Sequence, residues 1–334
     1  MRLSAFLPPG VEALFFESAR KRREIERRLV DELLAREYSE VILPAVDYLD
    51  PYEPLLKGAD RTELYRLIDR DGAMLALRSD FTPMIARLLA PRIESLPKPL
   101  KLFYCGDVFR YQEERAGIQR EFYQVGAEVL SEPGEESGEW AEQEALETFL
   151  ELLEIGERHT KLVVLGVAGL LDPLLRASAG DGDPTELSRA VVRREHHVAR
   201  GTHPALDEVI REGLPRDLES LGGAREAARL ERLVALRDQL AKKFPDIDLR
   251  IDLAEFADLS PVLHQNDEMR SYYDGLVFRA FVGRAARPLG GGGRYDRMFV
   301  DGLGLPLTAC GFSIKIDLLL HRGGGVMAGG NGDR

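Results

Sequence analysis

The chain has 334 residues, 44% of them hydrophobic, and a formal net charge of -12, a size that accommodates one large domain plus a smaller one around a packed core. That acidity argues against extended contact with nucleic-acid backbones, where affinity comes from lysines and arginines displacing counterions. The two cysteines, Cys105 and Cys310, sit far apart in apolar contexts without metal-ligand spacing, which excludes a disulfide framework or a zinc site and reads as two buried thiols in a reducing compartment. Charge returns at residues 17–28, too early for a secretory leader, and no run approaches the ~18 consecutive apolar residues of a membrane span. The expected location is cytoplasmic, with no membrane partner.

After a loop at 7–10, residues 11–36 carry Leu14, Phe15, Ile25, Leu29, Leu33 and Leu34 among charges, the periodicity of a helix. Val41, Ile42 and Leu43, ended by Pro44, predict a short buried strand, and residues 74–77 predict another. Thr82 ahead of Pro83 predicts a capping hydroxyl and a helix running through Leu89 until Pro91 stops it. Residues 100–110 and 119–130 alternate as two strands of an antiparallel hairpin around a long turn at 112–117. A helix follows at 140–155 and an apolar strand at 161–166. From 169 to 246 the composition shifts to helical stretches at 187–194 and 224–243 with joints rich in Gly, Asp and Pro, predicting a small helical insertion. Strand character returns at 249–253 and 275–282, followed by a glycine run at 290–293 and an apolar segment at 307–320. The expected organisation is a discontinuous core of residues 1–168 and 247–322, the insertion 169–246, and a flexible glycine-rich tail 323–334.

Three stretches carry candidate chemistry. In Arg78-Ser79-Asp80-Phe81-Thr82-Pro83 a strand hands an acid and a hydroxyl to the start of a helix, which by itself is plain helix capping. In Arg120-Glu121-Phe122-Tyr123-Gln124-Val125-Gly126-Ala127-Glu128, the strand period of two places Gln124 and Glu128 on one face with Gly126 between them, a polar floor if that face lines a cavity and a solvent-facing strand if it does not. The third comprises Tyr272-Tyr273-Asp274-Gly275, then Gly290-Gly291-Gly292-Gly293-Arg294-Tyr295-Asp296, then Cys310-Gly311-Phe312-Ser313. Glycines this dense permit close backbone approach to a ligand or form a flexible loop, and no Lys-Ser/Thr follows them to make a phosphate-binding P-loop. His196, His197 and His203 fall in the insertion, where neighbouring histidines point in different directions and make no ligand set. Neither a metal nor a cofactor is expected.

In order and spacing these stretches resemble the class II aminoacyl-tRNA synthetase core and, within it, the histidyl-tRNA synthetase family, over nearly the whole chain. Phe109-Arg110 with the later Arg120, Phe122, Gln124, Gly126 and Glu128 is similar to that family's motif 2; Tyr272-Tyr273 and Gly292-Gly293-Arg294-Tyr295-Asp296 are similar to its two histidine-recognition motifs. The resemblance implies an α+β fold, an antiparallel sheet flanked by helices, with histidine bound on the sheet face. It implies that Asp80 and Thr82 take the ligand's ammonium with help from Gln124, that Glu128 and Tyr273, beside Tyr272, read the imidazole, that Tyr295 closes the pocket, and that Arg110 sits near the carboxylate. Carboxylates suit an ammonium and an imidazole N–H, and arginine suits a carboxylate. Asp80 stands where the synthetases usually carry glutamate.

The chain departs from the synthetases where activation chemistry needs fixed cations around the ATP phosphates. Motif 3 ends there in a Glu-Arg pair, whereas the matching segment is Lys315-Ile316-Asp317-Leu318-Leu319, with leucine in place of the arginine. Glu268 replaces the arginine expected four residues before the second-to-last motif's tyrosine pair, with Arg270 close by, and Gln112, Glu113 and Glu114 replace the acid and the basic turn of motif 2. Only 14 residues follow Leu320, too few for an anticodon-binding domain, which needs about 50 or more; no tRNA partner is expected. A synthetase core with its histidine pocket kept and its ATP apparatus eroded resembles the regulatory-subunit family of short-form ATP phosphoribosyltransferase. That resemblance implies a non-catalytic protein that binds L-histidine, partners a short catalytic subunit in a hetero-oligomer, pairs with itself, and confers feedback on the first step of histidine biosynthesis. A truncated synthetase paralogue that still activates histidine or another amino acid is the alternative at this level, and a binding module in an unrelated pathway is a third reading.

Overall fold

The computed structural model describes residues 7–52, 55–56, 62–111, 119–156, 161–199, 203–217, 222–260, 273–282 and 288–320. Helix α1 (Phe16–Ala35) starts later than the periodicity predicts, because the Ser18 hydroxyl donates to the Phe15 carbonyl (2.7 Å) and accepts from its amide, holding Phe15 extended. Leu29 and Leu33, one turn apart, are its fully buried residues. The strand expected at 41–43 does not form. Strand β1 is only Ser39–Glu40; the Val41 amide makes one further bond to the Phe103 carbonyl, after which the chain peels away and Ile42 is 87% exposed. Pro44 has no N–H to extend the ladder.

Strands β2 (Val46–Tyr48), β3 (Arg66–Ile68) and β4 (Met74–Leu77) form a small antiparallel sheet in the order β2-β4-β3, with the short helix α2 (Leu49–Tyr52) packed beside it. Of β4, expected to be buried, only Ala76 is fully so, and Met74 is exposed. Helix α3 (Thr82–Leu89) passes into a 3-10 turn (Ala90–Ser95) that carries Pro91 in its first turn, as a proline tolerated only at a helix start requires.

The large sheet collects β5 (Leu100–Phe109), β6 (Glu121–Ser131), β7 (Lys161–Val167), β8 (Ile247–Ile251), β9 (Leu276–Val282), β10 (Gly290–Arg294) and β11 (Thr308–Lys315) with β1, in the order β1-β5-β6-β11-β10-β9-β7-β8. Its interior is antiparallel, and the pairs β1/β5 and β7/β8 at its two ends are parallel. Helix α4 (Glu135–Ile155) lies on one face, where Phe149 meets Phe278 and Phe312 with ring centroids 4.9 and 5.4 Å apart. Val125, Ala127, Val129, Val163, Leu165 and Ile314 complete that apolar face.

A parallel pair cannot be joined by a tight turn, and the connection from β7 to β8 runs through α5 (Asp172–Ala179), α6 (Pro184–Val192), α7 (His196–Ala199), α8 (Pro204–Glu212) and α9 (Ala224–Lys243). Leu174, Val191, Leu206 and Leu230 of these helices join the same core cluster as the sheet. His203 acts as the α8 cap, its Nδ1 accepting from the Ala205 amide at 3.2 Å. The expected strand 249–253 is shifted to β8, and Leu253 opens a 3-10 turn (Leu253–Phe256). Helices α10 (Asp296–Leu303) and α11 (Ile316–Leu320) complete the fold.

The glycine run is strand β10, not a loop. A Cβ at Gly290 would stand 2.3 Å from the Ser313 carbonyl oxygen, and one at Gly292 2.0 Å from that of Gly311, so its neighbours approach more closely than any side chain would permit. Of the two thiols expected to be buried, Cys310 is, while Cys105 is only partly so, since it faces the rim of the α1 layer.

Candidate ligand-binding site

The face of the large sheet opposite α4 is where the candidate residues meet. Strand β6 places Gln124, Gly126 and Glu128 on it, registered across β5 against Gly106, Tyr104 and Leu102 and across β11 against Lys315, Ser313 and Gly311. Glu128 is 1% exposed. The Thr82 hydroxyl donates to its Oε1 at 2.5 Å and the Tyr295 hydroxyl donates a short bond to its Oε2. A Cβ at Gly311 would stand 1.6 Å from Oε2, so the glycine is what lets the carboxyl lie flat on the sheet.

Thr82 does not cap its helix. The residue before α3 is Phe81, without a side-chain cap; Asp80 Oδ1 accepts the Thr82 amide at 3.0 Å, freeing the hydroxyl for Glu128. Asp80 is held in turn by Tyr52, whose hydroxyl donates to the Asp80 carbonyl (2.9 Å) and accepts from its amide (3.0 Å). Arg110 donates through Nε to the Ser79 carbonyl (2.9 Å) and sits 3.4 Å from Asp80 Oδ2. Behind them the Arg78 guanidinium stacks over Phe81 (3.9 Å) and donates to the Leu43, Pro44 and Asp107 carbonyls, tying the strand-to-helix corner to the sheet.

Asp80, Thr82, Glu128, Tyr273 and Tyr295 line one cavity, together with Tyr104, Gly291, Gly311, Phe312 and Ser313. Gln124 is buried but lies outside it, its amide directed to the Ser313 hydroxyl at 3.3 Å, and Arg110 borders it only through Asp80. Tyr272 lies outside the described residues, as do Gln112, Glu113, Glu114, Glu268 and Arg270. The cavity measures about 30 Å³, room for one or two water molecules. A larger ligand needs more room than this, and the Thr82 and Tyr295 hydroxyls both occupy Glu128.

Burial pushes the Glu128 carboxyl up to about 8 against the opposing hydrogen bonds from Thr82 and Tyr295, and the neighbouring Asp80 charge adds to the rise. A carboxyl raised in this way keeps its proton to higher pH than a free one and can donate to a ligand nitrogen or pass its proton to a basic ligand. On the far side of Tyr295, Asp274 is also pushed up to about 7 by burial and by Asp296, while it accepts the Asp296 and Arg297 amides at the start of α10.

Tyr104 and Tyr52 were not singled out from the motifs. Tyr104 stacks on Phe81 at 4.1 Å, and a Cβ at Gly126 would meet its hydroxyl at 2.3 Å; the available signal is a tyrosine facing a glycine across the predicted hairpin. Tyr52 acts from outside any motif. Leu318, in place of the synthetase arginine, packs against the main core, and its neighbour Asp317 accepts the Tyr123 amide at 2.7 Å. The end of motif 3 thus serves packing.

The histidyl-tRNA synthetase family model matches residues 10–319. Similar proteins include an ATP phosphoribosyltransferase regulatory subunit of Symbiobacterium thermophilum, 31% identical over 94% of this chain and 79% of its own length, and one of Moorella thermoacetica, 30% identical over 95% and 82%. Among solved structures, an ATP phosphoribosyltransferase regulatory subunit/histidyl-tRNA synthetase from Bacillus halodurans superposes with a TM-score of 0.76 at 24% identity, covering 96% of this chain and 83% of that one. A chain of the ATP phosphoribosyltransferase HisG:HisZ complex from Thermotoga maritima gives 0.64 at 19% identity, covering 91% and 98%.

Proposed function

The chain belongs to the ATP phosphoribosyltransferase regulatory subunits, built on the histidyl-tRNA synthetase fold, and from that premise we propose that it binds L-histidine at the Glu128 cavity and makes a short catalytic subunit respond to it. The observation that carries the reading is the buried Glu128 carboxyl, set beside Asp80 and Thr82 and covered by the Tyr295 hydroxyl. Glu128 and Tyr273 would read the imidazole, Asp80 and Thr82 the ammonium, and Arg110 the carboxylate. Gln124 would act through Ser313, and Tyr272 would adjoin Tyr273. Residues 1–168 and 247–322 would form the binding body, with the helices of 169–246 as its appendage and 323–334 as a tail. The assembly would be a cytoplasmic hetero-oligomer in which this chain pairs with itself, and no amino acid would be activated.

Binding becomes signalling only if histidine prefers one conformation of the complex. Tyr295 offers the connection. It is the residue from which α10 begins, so a ligand that takes Glu128 from it acts beside the start of that helix. A tenfold preference for one state would supply about 1.4 kcal/mol of coupling. The test titrates histidine against the reconstituted complex and against one carrying Asp80→Ala with Glu128→Ala. Wild-type activity should fall, while the double variant should assemble and stay active. Failure of the two proteins to associate, or identical responses, would refute the proposal.

A further inference from the structure

A groove of about 980 Å³ lies between the starts of α4 and α9, helix α5, and the ends of β7 and β10, at the upper end of the range for small-molecule sites, ~300–1,000 Å³. It lies apart from the Glu128 cavity: Tyr295 faces that cavity, whereas its neighbours Arg294 and Asp296 face the groove. Most of the groove's acids are already satisfied. Glu142 accepts from Arg232 (2.5 Å) and the Leu276 amide (2.9 Å), Asp296 from Arg294 (2.7 Å) and the Ala309 amide (2.9 Å), and Asp274 from the Asp296 and Arg297 amides (3.3 and 2.8 Å).

Three of its arginines are not. Among the described residues Arg176 and Arg225 have neither a salt bridge nor a hydrogen bond, and half-buried Arg229 donates to the Ala168 carbonyl (3.2 Å) without a carboxylate within salt-bridge distance. Burial first and then the Arg225 charge hold the Arg229 guanidinium below its ordinary range, against Glu226 and Glu142, the direction of a cation short of an anion. Arg225 and Arg229 are one turn apart on α9 and share a face. The same helix starts at Gly223 without a side-chain cap.

We propose that this groove is a second ligand site, taking a small molecule that bears phosphate groups between Arg176, Arg225 and Arg229, with Glu135 and Glu226 as acceptors for its hydroxyl or amino groups. The proposal goes beyond histidine binding and does not depend on it. Phosphate suits the forked guanidinium donors.

The test is calorimetric titration of pyrophosphate and of ATP into the full chain, its Arg176→Ala/Arg225→Ala double variant and its Glu128→Ala variant. Both arginines of the double variant are exposed and make no salt bridge or hydrogen bond among the described residues, so it should fold as the wild type. At least one probe should bind the wild type, bind the double variant tenfold more weakly or worse, as expected for lost charge-assisted bonds, and bind the Glu128 variant unchanged. Absence of wild-type binding at millimolar probe, equal binding by the double variant, or loss of binding with Glu128→Ala would each overturn it. So would failure of the double variant to join the catalytic subunit when the wild type binds neither probe, an outcome that assigns the arginines to a protein partner.

Discussion

Replacing Glu128 by glutamine should make the ligand-free protein more stable, by an amount that depends on pH. Folding raises the Glu128 carboxyl from 4.5 to about 8, with burial as the main cause. A raised carboxyl contributes fully below the unfolded value and loses that contribution as pH rises through the folded one. At pH 7 the unfolded chain has released the proton and the folded chain must take it back, which costs about 3 kcal/mol at 1.36 kcal/mol per unit. The penalty approaches about 5 kcal/mol above pH 8 and falls below about 1 kcal/mol at pH 5. Glutamine is neutral in both states, keeps an oxygen for one hydroxyl and offers an N–H to the other, since Thr82 and Tyr295 can each donate or accept. Urea unfolding of both proteins at pH 5, 7 and 8.5 should show curves that nearly coincide at the lowest pH and separate steadily above it. The same variant should bind histidine more weakly, a stability penalty retained for function. A Glu128→Gln protein no more stable than wild type at pH 8.5, with the same pH slope, would mean that folding does not raise the Glu128 carboxyl and that the reasoning fails.

Gly311→Ala should evict the Glu128 carboxyl, since a Cβ there lies 1.6 Å from Oε2; the overpacking should cost about 1–3 kcal/mol and calorimetry should find histidine binding lost, whereas wild-type affinity would remove Glu128 from the pocket. Histidine-dependent pyrophosphate exchange with ATP should be absent from material free of host synthetase, given Leu318, Glu268 and Gln112 at positions where activation needs other groups; robust exchange would revive the synthetase reading. Both thiols should resist a chromogenic disulfide reagent in the native protein and react on unfolding, because burial pushes Cys105 up to about 12 and Cys310 well above its ordinary range; rapid native reaction of Cys310 would contradict its complete burial.

The hairpin of β5 and β6 was legible because its signal is local. Alternation alone put Gln124, Gly126 and Glu128 on one face, and the register opposite Gly106, Tyr104 and Leu102 agrees. The same reasoning failed at residues 41–43, where an apolar run looks like a buried strand but meets only one neighbour before Pro44 turns it away. It also could not read β10, since four glycines have no strand propensity and are held in the sheet by carbonyls of β9 and β11 that the run itself does not contain. Thr82 shows the limit most sharply. A hydroxyl before Pro83 has the local signature of a cap, yet Asp80 takes that duty and the hydroxyl turns to a carboxyl on another element.

The sequence by itself determined which residues share a strand face or a helix turn, because those relations follow from periods of 2 and 3.6 and involve only near neighbours. Motif order was enough to gather Asp80, Thr82, Glu128, Tyr273 and Tyr295 as candidates. Only the tertiary structure decided that Gln124 stands outside their cavity, that Tyr104 and Tyr52 support it, and that burial raises the Glu128 carboxyl. The reason is physical: protonation depends on desolvation and on hydrogen bonds from Thr82 and Tyr295, 46 and 167 residues distant in the chain, and no local pattern encodes the dielectric that such distant segments create when they close over one carboxyl.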